Sequence, residues 1–107
     1  MPQDEAAAQY EVVWPSGPRQ THDFAPAARP ADLNGRTIAF VWDYIFRGDE
    51  MWEVIQRELA ARFPDVRFAG YEGLGNIHST EEREVLAGLP RRLRELDVAA
   101  AIVGVAA

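Results

Sequence analysis

The chain has 107 residues, 48% hydrophobic and 26% charged, with a formal charge of −6 from seventeen carboxylates against eleven basic residues. This length supports one domain with a modest core. The acidic balance and the lack of a basic stripe exclude nucleic-acid binding through a phosphate backbone. The densest Arg run, Arg91-Arg92-Leu93-Arg94, alternates with Glu95 and Asp97 and reads as a solvated helix face. Cysteine is absent. Disulfides, thiolate metal sites and a thiol nucleophile are therefore excluded within this chain, and a cytoplasmic location is expected. No stretch approaches the roughly 20 apolar residues of a membrane span. The acidic start Met1-Pro2-Gln3-Asp4-Glu5 is not a signal peptide, so no membrane partner is expected.

Residues 1–32 read as an extended arm. Five of the seven prolines fall in it, at Pro2, Pro15, Pro18, Pro26 and Pro30, and proline disfavours both long helices and central strands. Tyr10-Glu11-Val12-Val13-Trp14 has the pattern of a short edge strand. Trp14 and Phe24 are costly to leave in water, which predicts an arm lying across a surface, its own or a partner's. His22 falls in this arm and has no assigned role.

A regular pattern begins at Leu33. Asn34-Gly35 predicts a turn. Thr37-Ile38-Ala39-Phe40-Val41-Trp42 is β-branched and aromatic, and predicts a buried strand. Gly48-Asp49 opens a helix with Asp49 at its N-cap. Met51, Ile55, Leu59 and Phe63, with Trp52 beside them, predict its core stripe, and Pro64 ends it. Val66 to Tyr71 predicts a second strand, and Gly73, Gly75 and Asn76 a loop. Ser79-Thr80-Glu81-Glu82 is a capping-box pattern. The helix after it places Val85, Leu86, Leu89, Leu93 and Leu96 on one side, with a kink or restart expected near Gly88 because of Pro90. Asp97 to Ala107 is an unbroken apolar run, which predicts a strand buried on both faces.

The order β-α-β-α-β predicts an α/β fold, a half-Rossmann (flavodoxin-like) layer with a parallel sheet, over residues 33–107. Parallel sheets are normally covered on both faces. A lone half leaves apolar faces and edges open, so completion by a partner chain is expected. Ligands of such sheets bind beyond the carboxyl ends of the strands.

The loops at that edge supply the candidate residues. His78 is the best general acid or base in the chain, or a local hydrogen-bonding residue before a helix. Asp43 either contacts substrate or acts as a base, or else pairs with Arg47. Arg47 is suited to clamping a carboxylate, or is an exposed charge. Asn76 joins them as a substrate-binding candidate, as do Trp42 and Tyr44, for which a core or interface role is the other reading. Gly73-Leu74-Gly75 is not a dinucleotide fingerprint, because it follows the second strand and lacks the third glycine. The two His and scattered carboxylates lack metal-ligand spacing. No cofactor or metal is assigned.

At Leu33-Asn34-Gly35-Arg36-Thr37-Ile38, Trp42-Asp43-Tyr44-Ile45-Phe46-Arg47-Gly48-Asp49-Glu50 and Gly75-Asn76-Ile77-His78, the sequence resembles the UGSC family of proteins and selenoproteins. The Ala27-Ala28-Arg29-Pro30 lead-in and the run from Asp97 to Val105 look similar too. The resemblance spans roughly residues 10–107 and follows the family's N-terminal half. Family members continue past this strand into a loop carrying selenocysteine or cysteine, then Gly-Ser-Cys, and that loop is by resemblance the reactive element. It implies that the Cys loop comes from a second subunit, from a cleaved precursor or from sequence lost by truncation. The expectation is a small subunit of a heteromeric α/β enzyme acting on a small molecule, with the Cys-containing loop in the partner subunit. The competing expectation is a binding or regulatory module without that loop. Substrate and reaction type are not legible.

Overall fold

Thr37–Trp42 forms strand β1, the centre of the molecule in this computed structural model, which describes residues 9–18 and 23–106. Its β-branched and aromatic side chains suit a pleated, buried position, and Ile38 through Trp42 are all buried. Helix α1 follows over Gly48–Arg62 and strand β2 over Arg67–Ala69. A single 3-10 turn, Tyr71–Gly73, leads to helix α2 over Glu82–Glu95 and strand β3 over Val98–Gly104.

The sheet is parallel throughout, in the order β2-β1-β3. This is an α/β half-Rossmann-like β-α-β-α-β layer, as the alternating pattern predicts. Each helix covers a different face of β1. Trp52 and Ile55 of α1 pack on Phe40 and Trp42, with Phe68 and Ile102 alongside. Leu89 and Leu93 of α2 pack on Ala39 and Val41, with Leu74 and Ala69 alongside. The period-2 alternation of β1 thus sends aromatic residues to one helix and small aliphatic residues to the other.

Asn34 and Gly35 make the predicted turn, with Gly35 at φ +73°, where glycine is favoured. The Asn34 carboxamide oxygen accepts from the Asp65 N–H at 3.0 Å, tying the start of β1 to the start of β2. Arg67 donates to the Gly35 carbonyl at 2.7 Å.

Several boundaries and faces differ from expectation. Asp49 lies in the first turn of α1 and is not its cap; Arg47 holds that place and makes no side-chain capping bond. Met51 is 52% exposed and falls off the predicted stripe, whose buried member is Trp52. The second strand stops at Ala69, because the chain turns at Gly70 into the 3-10 turn. Helix α2 starts at Glu82, two residues later than the capping-box pattern implies; the Ser79 hydroxyl accepts instead from the Glu81 N–H at 3.2 Å. Pro90 sits inside a continuous α2, and Leu86 and Leu96 are exposed.

Strand β3 is not buried on both faces within this chain. It is an edge strand, and Ala99, Ala101 and Val103 are exposed. The segment Tyr10–Trp14 forms no strand, and Tyr10, Val12, Val13 and Trp14 are exposed, so the arm does not lie on its own domain there. His22 and Ala107 lie outside the described residues. Among the described residues no helix is long and apolar enough to cross a membrane.

Candidate functional site

Three loops converge beyond the carboxyl ends of the strands, and Asp43 fastens the first of them to the end of β3. Its backbone N–H donates to the Gly104 carbonyl of β3 at 3.2 Å. Its carboxylate accepts from the Ile45 N–H at 3.1 Å and from the Ala106 N–H at 2.6 Å. The loop after β2 joins the same point, because the Ile77 N–H donates to the Trp42 carbonyl at 3.4 Å. Asp43 is only 2% exposed. A carboxylate with both oxygens taken by backbone donors is a local fastening, since charge-assisted bonds of this kind are among the strong ones.

The loop after β1 also carries strain. Tyr44 has φ +64°, in the left-handed region that non-glycine residues avoid. The Asp43-to-Ile45 bond spans Tyr44 as an Asx turn. Ring contacts hold its side chain: it stacks on Trp42 with centroids 4.5 Å apart and meets Tyr71 edge-on at 5.3 Å. Trp42 meets Tyr71 at 4.9 Å and Phe46 at 6.0 Å, both edge-on. Gly48 is needed here, because a Cβ at that position would collide with the Trp42 indole. The Trp42 indole N–H is buried and has no acceptor among the described residues.

The remaining predicted residues sit at the same edge but are not linked to Asp43. The Asn76 carboxamide oxygen accepts from the His78 backbone N–H at 2.8 Å. The His78 Nδ1 lies 3.7 Å from a Glu82 carboxylate oxygen, with both side chains largely exposed. Arg47 does not pair with Asp43; its guanidinium lies 3.7 Å from Glu50 on the solvent side. The structure therefore groups Trp42 and Tyr44 through Tyr71, and ties Asp43 between them to Ile45 and to the end of β3. It places Asn76 and His78 on the neighbouring loop and leaves Arg47 outside.

One cavity at this edge involves residues that sequence reasoning passed over. A cleft of about 450 Å³ lies between α1 and the turn after β2, lined by Asp49, Trp52, Glu53, Gly70, Tyr71 and Glu72 among others. Desolvation pushes the Tyr71 phenol above its ordinary value; the negative charges of Glu72 and Asp49 and the nearby Tyr44 add to this. Tyr44 shifts the same way, first by burial and then through Glu72. Both phenols thus keep their protons well past neutral pH. The one available signal was the spacing of Asp49, Trp52, Glu53 and Gln56, which share a helix face. A second groove, at the start of α2, is lined by residues 79–84 alone and gathers no group from another element.

The molecule is thus defined as a parallel α/β layer with loops, aromatic rings and carboxylates gathered at its carboxyl edge. No family model, curated protein or solved structure matches the chain. Among the described residues no group of three His, Asp or Glu side chains is placed to hold a metal ion.

Proposed function

We propose that this chain is the small subunit of an α/β enzyme acting on a small molecule, with a partner subunit adding to the sheet and supplying a Cys-containing loop. The observation that carries the proposal is the contrast between the two sheet edges. The β2 edge is three residues long and carries Arg67, which blunts it. The β3 edge is seven residues of Val-Ala-Ala-Ala-Ile-Val-Gly. Its Val103 stands in register with buried Val41, yet is 60% exposed. A long apolar edge beside the converging loops suits strand addition by another polypeptide. These 107 residues hold no cysteine, so on this reading the thiol chemistry that the UGSC resemblance implies is supplied from outside them. A cytoplasmic setting is part of the same reading.

Val103→Lys is expected to abolish assembly while changing the stability of the chain itself by less than about 0.5 kcal/mol, as for other exposed positions. Sedimentation of the wild type and variant, each beside a thermal melt, checks this. A wild-type chain that runs as a compact monomer with a sharp transition, with or without the Cys-bearing partner, counts against the proposal.

Within this reading His78 is the acid–base residue, because its imidazole is exposed at the carboxyl edge and free of backbone duties. Asp43 orients the loops, with Trp42, Tyr44 and Asn76 as substrate-contacting residues, while Arg47 would have to leave Glu50 on the solvent side to join them. His78→Ala is expected to lower kcat of the assembled enzyme about 10²-fold. Unchanged turnover would reduce His78 to its pairing with Glu82. A second reading, a non-enzymatic binding module, is favoured by the cleft beside α1, which this chain builds alone. Activity that survives alkylation of every partner cysteine would remove thiol catalysis and leave Asp43 and His78 as the better catalytic candidates, whereas an assembly with no turnover at all would favour the binding module.

A further inference from the structure

The N-terminal arm carries a strand sequence that its own domain leaves unused. Tyr10-Glu11-Val12-Val13-Trp14 is aromatic and β-branched apart from one residue. It forms no strand, and Tyr10, Val12, Val13 and Trp14 are each at least 73% exposed. The described chain is 85 Å long but only 32 by 26 Å across, so the arm stands off the domain that follows it. Such side chains are costly to leave in water. The sheet has a matching vacancy, because β3 is bonded on one side only, to β1.

The two fit each other in length, size and charge. Pro15 follows Trp14 and ends the arm's pairing capacity at five residues, which β3 accommodates within its seven. Ile102 stands in register with Phe40, on the α1 side of the sheet, while Ala101 and Val103 are in register with Ala39 and Val41 on the α2 side. On the α1 side, Ile55, Leu59 and Ile102 line an apolar groove together with Arg62. Arg62 makes no ion pair among the described residues. A crossover helix runs back against the strands, so Arg62, at the end of α1, lies toward the strand starts. A strand added parallel to β3 with Val13 beside Ile102 therefore brings Glu11 toward Arg62. The same register sets Val12 and Trp14 on the other face, beside Ala101 and Val103, large side chains over small ones.

We propose that residues 10–14 of a second copy add to β3 as a parallel fourth strand, and that two copies exchange their arms reciprocally. Residues 15–32 reach roughly 60 Å when extended, enough to carry the arm to a neighbour. Two aromatic rings at about 150–250 Å² each, two valines and the strip they cover, exchanged twice, bury roughly 1,600 Å², the size of a standard stable interface. This goes beyond the subunit reading above and needs no other polypeptide. The two share the β3 edge, so a Cys-bearing partner has to displace the arm.

The full chain alone is expected to sediment as a dimer at about 100 µM. Val12→Lys and Trp14→Ala change exposed positions and should each weaken that dimer by at least about tenfold. Far-UV circular dichroism confirms that each variant is folded. Because the chain has no cysteine, introduced thiols report contacts without background. Chains carrying Val12→Cys are mixed with chains carrying Ala101→Cys and oxidised, and mass spectrometry of the linked peptides is expected to show a disulfide between the two. Glu11→Cys in place of Val12→Cys should give far less, because its side chain faces the other way. A wild-type monomer at that concentration, a dimer that both arm variants leave intact, or a disulfide that forms only when both thiols sit in one chain would each overturn the proposal. The last result would put the arm on its own β3. Whether a Cys-bearing partner binds is a separate measurement, sedimentation with that partner added, so the subunit reading stands or falls independently.

Discussion

Phe40→Ala is expected to cost about 3–5 kcal/mol, the range for deleting a buried aromatic side chain. Phe40 is 2% exposed at the middle of the central strand. It stacks on Trp52 with centroids 5.0 Å apart, lies parallel to Trp42 at 6.5 Å and meets Tyr71 edge-on at 6.1 Å. Gly104 of β3 brings its backbone against the same ring, where a Cβ would stand 3.2 Å from the Phe40 edge. Removing the ring opens a void between α1 and the sheet that rigid neighbours cannot fill. A domain of this size holds only about 4–11 kcal/mol in total, so the variant should sit near its unfolding threshold. Urea unfolding followed by circular dichroism gives the midpoint. Phe40→Leu, which keeps most of the volume, should lose roughly half as much or less. A loss below about 1 kcal/mol for Phe40→Ala would mean that this ring cluster is not the core.

How much of this was legible beforehand varies with how local each cause is. Strand β1 was read with its observed bounds, because Thr37 to Trp42 are apolar on both faces and both faces are covered. The same logic failed at β3. An unbroken apolar run states what the residues would tolerate, not whether this chain supplies both covers, and Ala101 and Val103 lie bare. The α1 stripe failed for a geometric reason. Steps of four residues drift about 40° each on a helix of 3.6 residues per turn. Met51 and Phe63 therefore cannot share one face, and Trp52 takes the buried place.

The carboxyl-edge placement of Asp43, Asn76 and His78 followed from strand order alone. What each side chain touches did not. Asp43 and Arg47 are four apart, a helical spacing, but the intervening loop is not helical and sends Arg47 to Glu50. The cleft was invisible because its carboxylates come from α1 and from the turn after β2, which sequence separates by about a helix length. Tyr71 and Glu72 were read as the end of a strand and the start of a loop, with nothing to mark them as facing Asp49.

Asp43→Ala is expected to cost about 3 kcal/mol, since it removes two charge-assisted acceptors and leaves two backbone donors to find water. The Ile45 and Ala106 N–H groups lose their partner together. Asp43→Asn keeps one oxygen acceptor, and should cost about half as much. The damage should be local before it is global. Ala106 follows β3, whose end is otherwise tied at this point by the Asp43 N–H to Gly104 bond. Hydrogen exchange should therefore accelerate at Ile45 and Ala106 well before it does in the middle of β1. The same pair of variants separates a fastening role from a chemical one. If Asp43 only holds the loops, any turnover of the proposed assembly should fall in proportion to the exchange at Ala106, with the asparagine variant intermediate. If its carboxylate handles protons, the asparagine variant should lose about 10²-fold or more in kcat, as much as alanine, while its loops stay closed. The burial of Asp43 and the occupation of both its oxygens favour the first outcome.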